Sequence, residues 1–274
     1  VALRRNLWFA CAMAKHGLGE ALKTVRYAGG IANWLQVGAA ALRGDEVTWL
    51  KLRNGLEIES APGALLVPLY KEIVYKDDYR LRLDPLPANA VVIDIGANLG
   101  MFSLHVAADH GAARVYAFEP FPESFALLQR NAERNRLAAI QAIPLAIAGQ
   151  AGSRELHMQG RHGVHSLFGT AGEAVRIECI TLADAFARFA IQRCDFLKLD
   201  CEGAEYEILL STPSDVYARI QRIALEYHDW ITDHHHDELV QRLSAEGFAV
   251  TTRDHVPSRT GYVFGKRKGV TGDQ

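Results

Sequence analysis

The sequence predicts an α/β fold: a doubly wound, mostly parallel sheet with helices on both faces, preceded by a helical and β-hairpin extension. Three observations carry this. From Pro85 onward, short runs of nearly continuous apolar residues alternate with amphipathic stretches, as buried parallel strands and the helices covering them must. The first run, Val91 to Ile95, meets a glycine loop that leads into a helical pattern, the start of a strand–helix crossover. The last two runs are joined by a loop with no room for a crossover helix, so they pair antiparallel.

Taken in chain order, residues 1 to about 44 place Leu18, Leu22 and Val25, then Trp34, Leu35 and Val37, at loosely helical spacing broken by Gly29-Gly30. They predict one or two helices. VTWLKLRNGLEIES follows, two alternating runs meeting at Asn54-Gly55, a strong hairpin signal. The strands of the main sheet are AVVIDI, RVYAFE, IQAIPLAI, DFLKLD and RIALEYH, then FAVTTRD and GYVFGKR. Between them, Met101 to Asp109 forms a helix with Met101, Leu104, His105 and Ala108 on one face, and Pro122 to Asn135 forms another with proline in its first turn. Asp233 to Glu246 begins with a capping aspartate and stops at Gly247, as a helix should. Residues 1–84 are expected to be the extension and 85–274 the main domain.

Composition narrows the partners. The 274 residues carry 30 Lys+Arg against 32 Asp+Glu, which disfavours a nucleic-acid backbone as the main ligand. The N-terminal apolar run behind two arginines is too short for a typical leader, and no segment reaches the roughly 18 apolar residues of a membrane span. Cys11, Cys179, Cys194 and Cys201 are scattered without zinc spacing, as in a reduced compartment. The chain reads as soluble and cytoplasmic.

The loop after the first strand narrows the cofactor. Gly96 permits a tight turn at positive φ, and Gly100 lets backbone approach a ligand at a helix N-terminus. Asn98 stands where a dinucleotide loop has its second glycine, and the third is missing. Asp94 places a carboxylate at the strand end, where it suits the cationic amino group of a methionine moiety, directly or through water, and repels a diphosphate. Glu119, 19 residues beyond Gly100, closes the second strand and is placed to accept hydrogen bonds from ribose hydroxyls. Glu119 thus identifies a ribose and not the cofactor, while Asn98, the missing third glycine and Asp94 favour S-adenosylmethionine.

The stretches VVIDIGANLGMFSL, VYAFEPFPESFALLQRNAERN, ITLADAF, DFLKLDCEGAEYEILL and IALEYH occur in the order found in FkbM-family methyltransferases, which this sequence resembles over roughly residues 46 to 230. The resemblance implies a Rossmann-like class I methyltransferase fold with a seven-stranded sheet. It also implies methyl transfer from S-adenosylmethionine to hydroxyls of sugars, glycosides or polyketide-type natural products. By position it places Asp94, Gly96, Asn98 and Gly100 on the methionine part, Glu119 on the ribose and the segment around Ala146 on the adenine.

An alcohol acceptor must lose its proton as the new C–O bond forms, so a base is expected at the strand ends. The fourth strand delivers Lys198, Asp200 and Glu202, and the fifth Glu226 and His228. His228 is the expected base because imidazole titrates near neutrality, with Asp200 or Glu202 orienting it or holding a substrate hydroxyl. A divalent cation held by Asp200, Glu202 and His228 is not favoured, and consecutive histidines in DHHHDE at 233–238 are expected to diverge as a solvated helix start. His165-Ser166 suggests a substrate loop, and Tyr75 and Tyr79 an aromatic closure over the methionine end. Two rival readings stay open: a nicotinamide-dependent oxidoreductase, and a non-catalytic protein that keeps the S-adenosylmethionine pocket.

Overall fold

β-Branched residues at successive positions leave little but a doubly buried strand for Val91–Ile95, and the computed structural model places that strand inside a seven-stranded sheet, with neighbours on both sides. Residues 27–159, 164–166, 174–255 and 259–269 are described. The helix expected around Leu18–Val25, and Cys11, lie outside them. The chain divides between Asp78 and Tyr79 into two units.

The described part of the N-terminal unit holds helix α1 (Trp34–Arg43), hairpin strands β1 (Trp49–Lys51) and β2 (Glu57–Glu59), and a short α2 (Leu66–Leu69) that runs on as a π-helix over Tyr70–Lys76. Leu50 pairs with Ile58 across the hairpin and both are fully buried. The turn differs from a two-residue Asn-Gly connection. The N–H of Gly55 donates to the Leu52 carbonyl, so Gly55, at φ 96°, follows the turn as its left-handed residue.

In the C-terminal unit the chain runs β3 (Val91–Ile95), α3 (Met101–Asp109), β4 (Arg114–Phe118), α4 (Pro122–Arg134), β5 (Ile140–Ile143), β6 (Ala146–Ile147), β7 (Gly152–Gln159), β8 (Val164–Ser166), β9 (Ala174–Ile180) and α5 (Leu182–Arg188). It continues with β10 (Phe196–Leu199), α6 (Glu205–Ser211), α7 (Ser214–Tyr217), β11 (Arg222–His228), α8 (His236–Ala245), β12 (Phe248–His255) and β13 (Thr260–Arg267). The main sheet has the order β12-β13-β11-β10-β3-β4-β5, parallel except for β13, which is antiparallel to both neighbours. This is the mostly parallel, Rossmann-like seven-stranded sheet expected.

Three details depart from expectation. The run IQAIPLAI is two strands: Pro144 has no N–H to give a ladder, and beyond it β6 joins a second sheet of order β6-β9-β7-β8. Helix α3 is buried over Met101 to Val106 rather than on one face, and its polar Ser103 is satisfied by Asp94. Helix α8 starts later than Asp233. His235 is its N-cap, in a capping box with Glu238.

Candidate active site

Parallel neighbours deliver their carboxyl ends to one edge of the sheet, and β11-β10-β3-β4 lie side by side. The loop after β3 is stapled to β4, because the N–H groups of Gly96 and Ala97 both donate to the Phe118 carbonyl, at 3.1 and 3.0 Å. Gly96 sits at φ 74°, and a Cβ there would lie 1.9 Å from the Asp200 carbonyl oxygen. Only glycine satisfies both conditions. Gly96→Ala is therefore expected to cost more than the roughly 1–2 kcal/mol of left-handed strain alone, read as a fall in thermal midpoint; an unchanged midpoint would contradict this packing. Asn98, at φ 51°, is also left-handed. Gly100, at φ 94°, faces Leu128 so closely that a Cβ would lie 2.6 Å from Leu128 Cδ1. The buried Asn131 side chain donates to the Leu99 carbonyl at 2.9 Å, tying the loop to α4.

Asp94 corrects the sequence argument. It is fully buried, accepts from Ser103 Oγ at 2.6 Å, and lies 3.0 Å from Lys198 Nζ. Lys198 also donates to the Gly96 carbonyl at 2.8 Å. Burial pulls the lysine pKa down, but Asp94 and Asp200 outweigh it and hold it above its ordinary value. The carboxylate is thus neutralised inside the protein, and its charge neither repels a diphosphate nor meets a ligand ammonium directly. The register that pairs Lys198 with Asp94 across β10 and β3 is the feature one sequence does not display.

Glu119 is buried at the tip of β4. Its two oxygens accept the N–H groups of Asn98 at 2.7 Å and Phe121 at 2.9 Å. Burial pushes its pKa up to about 7 against those two bonds. Each oxygen keeps a lone pair for a further donor. Ala146, buried in β6, packs in a cluster with Phe121, Ala148, Ile177 and Cys179.

A second group gathers after β10 and β11. The fully buried Glu205 carboxylate accepts the N–H of Cys201 at 2.7 Å and of Gly203 at 2.8 Å. That clasp holds a tight loop in which Glu202, at φ 51°, is left-handed. His228 lies between two carboxylates, Nε2 being 3.6 Å from Glu202 and Nδ1 3.5 Å from Glu205. Donor atoms of Asp200, Glu226 and His228 lie within 4.8 Å of one another. Tyr79 donates to Asp200 Oδ2 at 3.1 Å and packs edge-on against Phe102. Burial and then Asp200 hold its pKa well above the usual phenol value, so it stays a neutral donor. Tyr75 belongs to the N-terminal unit and packs edge-on against Tyr27. His165 and Ser166 fall in β8.

The charge of His228 changes its expected part. Burial alone pushes the imidazole pKa down, but Glu205, Glu202 and Asp200 overcome it and bring it up to about 10. At neutral pH the ring is a cation and has no free lone pair to take a proton. Glu202 moves the other way: burial raises it, His228 restrains the rise, and it settles at about 7. Two groups with separated pKa values divide acid from base, and here the carboxylate is the one able to accept. Glu205, which sets the geometry of both, was visible in the sequence only as the last residue of KLDCEGAE.

The arrangement fits a cationic donor. Six carboxyl groups (Asp94, Glu119, Asp200, Glu202, Glu205 and Glu226) stand at these strand ends against two cations, Lys198 and His228. With Asp94 offset by Lys198, the acidic balance is carried by the other carboxyl groups, and it favours a sulfonium or an ammonium over a diphosphate.

Comparison with known proteins agrees with the motifs. A protein-family model described as the methyltransferase FkbM domain matches residues 94–250. The 31-O-demethyl-FK506 methyltransferase FkbM of Streptomyces tacrolimicus is 29% identical over 238 residues, 75% of this chain and 90% of that protein. Methyltransferase sdnD of Sordaria araneosa is 26% identical over 217 residues, 67% of this chain and 82% of that protein. A solved structure of methyltransferase FkbM from Methylobacillus flagellatus is similar with a TM-score of 0.46 and 19% identity, over 65% of this chain and 43% of that one.

Proposed function

Since the chain belongs to the FkbM methyltransferase family, we propose that it is an S-adenosylmethionine-dependent O-methyltransferase acting on a hydroxyl of a small molecule, a sugar, glycoside or polyketide-type compound. The observation that carries this reading is the family match across residues 94–250, which spans the glycine loop, Glu119 and the carboxylate group after β10 and β11. The acceptor class is supported by the name of the S. tacrolimicus relative, whose substrate is an O-demethyl compound.

S-adenosylmethionine, when bound, supplies an electrophilic methyl group. Glu119 would hold the ribose hydroxyls, and the loop from Gly96 to Gly100 the methionine part, with Asp94 acting behind it through Lys198. The segment around Ala146 would border the adenine. The chain's own remaining tasks are to orient the acceptor hydroxyl and receive its proton. Glu202 receives it, at a carboxylate whose pKa of about 7 matches that work. His228, as an imidazolium, steadies the charge on Glu202 and keeps it in place. Asp200, fixed by Tyr79, accepts a hydrogen bond from the substrate.

Glu119 gives this reading a pH signature. A carboxylate accepts from two hydroxyls only when ionised, and its folded pKa is about 7. Affinity for S-adenosylmethionine is expected to tighten as pH rises through 7 and to lose that dependence in Glu119→Gln, measured calorimetrically. An identical pH profile in the variant would remove Glu119 from the cofactor site. The activity itself is tested by incubating the protein with methyl-labelled cofactor and a panel of glycosides and macrolides. Label recovered on an acceptor oxygen supports the proposal; label on nitrogen or carbon contradicts it.

A further inference from the structure

The stretch DHHHDE does more than end in a solvated helix start. Of its three histidines only His234 diverges, meeting Glu238 at 2.9 Å and stacking on Tyr206. His235 and His236 both turn back to Asp229, the residue that follows the end of β11. His236 Nδ1 lies 2.8 Å and His235 Nε2 3.5 Å from the same oxygen, Asp229 Oδ2. The three donor atoms all fall within 4.8 Å of one another. Ligands about 2.0–2.1 Å from one ion stand roughly 2.9–3.4 Å apart, so little adjustment separates this cluster from a coordination sphere.

The surroundings restrain each donor. Asp229 is buried, and its other oxygen accepts the Tyr206 hydroxyl and the backbone N–H of His236, the latter at 3.0 Å. That leaves Oδ2 for the imidazoles. The far nitrogen of each ring faces a second carboxylate, His236 Nε2 lying 3.9 Å from Asp254 and His235 Nδ1 3.2 Å from Asp237. His235 Nδ1 also accepts the Asp237 backbone N–H at 3.4 Å, a weak cap that turning its proton towards the Asp237 carboxylate would replace. Carboxylates behind metal-bound histidines fix the tautomer and strengthen the ligand in this way. Asp254 is itself held by the Tyr227 hydroxyl at 3.0 Å, and the His236 ring stacks on Tyr227 at 4.1 Å. Asp237 and Glu238 in the first turn of α8 offset the positive helix end that would otherwise oppose a cation.

We propose that Asp229, His235 and His236 bind one divalent transition-metal ion of the zinc class. Two imidazole nitrogens and one carboxylate oxygen are borderline donors that suit such an ion and leave coordination positions for water. The site is separate from the proposed active site, because His228 faces Glu202 and Glu205 while Asp229 faces the start of α8. Its effect is to tie the end of β11 to α8, which stabilises the folded chain in proportion to the occupancy of the ion.

The test uses untagged full-length protein, stripped with a chelator, dialysed and titrated with Zn2+ by calorimetry, with Co2+ absorption as a second readout. One Zn2+ per chain is expected, with affinity weakened at least about ten-fold by His235→Ala and lost in Asp229→Asn. His235 is exposed, so its variant keeps the test valid if the buried Asp229 variant fails to fold. His228→Asn is expected to bind as the wild type does. No Zn2+ binding by the wild type, or equal affinity in His235→Ala, overturns the proposal. So does loss of binding in His228→Asn with retention in His235→Ala, which would assign the ion to Asp200, Glu226 and His228.

Discussion

Glu202→Gln is expected to lower kcat by about 10²–10⁴-fold, the contribution of a positioned general base, while leaving the affinity for S-adenosylmethionine nearly unchanged. The amide keeps the size and the left-handed loop but accepts no proton. The pH profile separates this from a merely structural role. In the wild type, activity is expected to rise with pH as Glu202 ionises near 7 and to fall as His228 loses its proton near 10. The glutamine variant loses the lower limb. His228→Gln is expected to act differently: removing the cation lets burial and the neighbouring carboxylates push Glu202 higher, so the lower limb moves to higher pH. A wild-type rate and pH profile in Glu202→Gln, with His228→Gln inactive, would return the base to His228.

Lys198→Met is expected to destabilise the fold strongly. The ammonium lies 3.0 Å from Asp94, both residues are buried, and the lysine also serves the Gly96 carbonyl. Breaking a buried pair by removing one partner leaves the other charge uncompensated, at a cost of about 3–5 kcal/mol. For a chain of this size that is a fall in thermal midpoint on the order of 6–20 °C. Adding Asp94→Asn to Lys198→Met should restore part of the loss, since the second change removes the stranded charge. Strictly additive losses would show that the two residues do not act as a pair.

Much of this architecture could be read from the chain because several constraints pointed the same way. Val91–Ile95 had to be a buried strand, and the short link between the last two runs left β12 and β13 no arrangement but an antiparallel one. The second sheet leaves a signal too: Val175, Ile177 and Cys179 alternate with Arg176 and Glu178, the period of a strand with one buried face. Pro144 marked where one sheet ends and the other begins.

The chemistry of the site was less accessible, and for a physical reason. Asp94, Lys198, Asp200, Glu202 and His228 could each be placed at a strand end from spacing alone. Their charges depend on which of them meet, and that is fixed by strand register and by the Glu205 clasp. A lone histidine titrates near neutrality; one between Glu202 and Glu205 does not. In the same way, helical geometry suggested that His234, His235 and His236 must diverge. The first helical residue is His236, so the two before it follow non-helical backbone and His235 is free to turn towards Asp229.

Calorimetric titration with S-adenosylmethionine and, separately, with NAD tests the central claim most directly, because it asks which cofactor the acidic strand ends admit before any acceptor is known. Saturable binding of S-adenosylmethionine, weakened in Glu119→Gln, with no binding of NAD, is the result expected. Tight binding of NAD with none of S-adenosylmethionine would contradict the account.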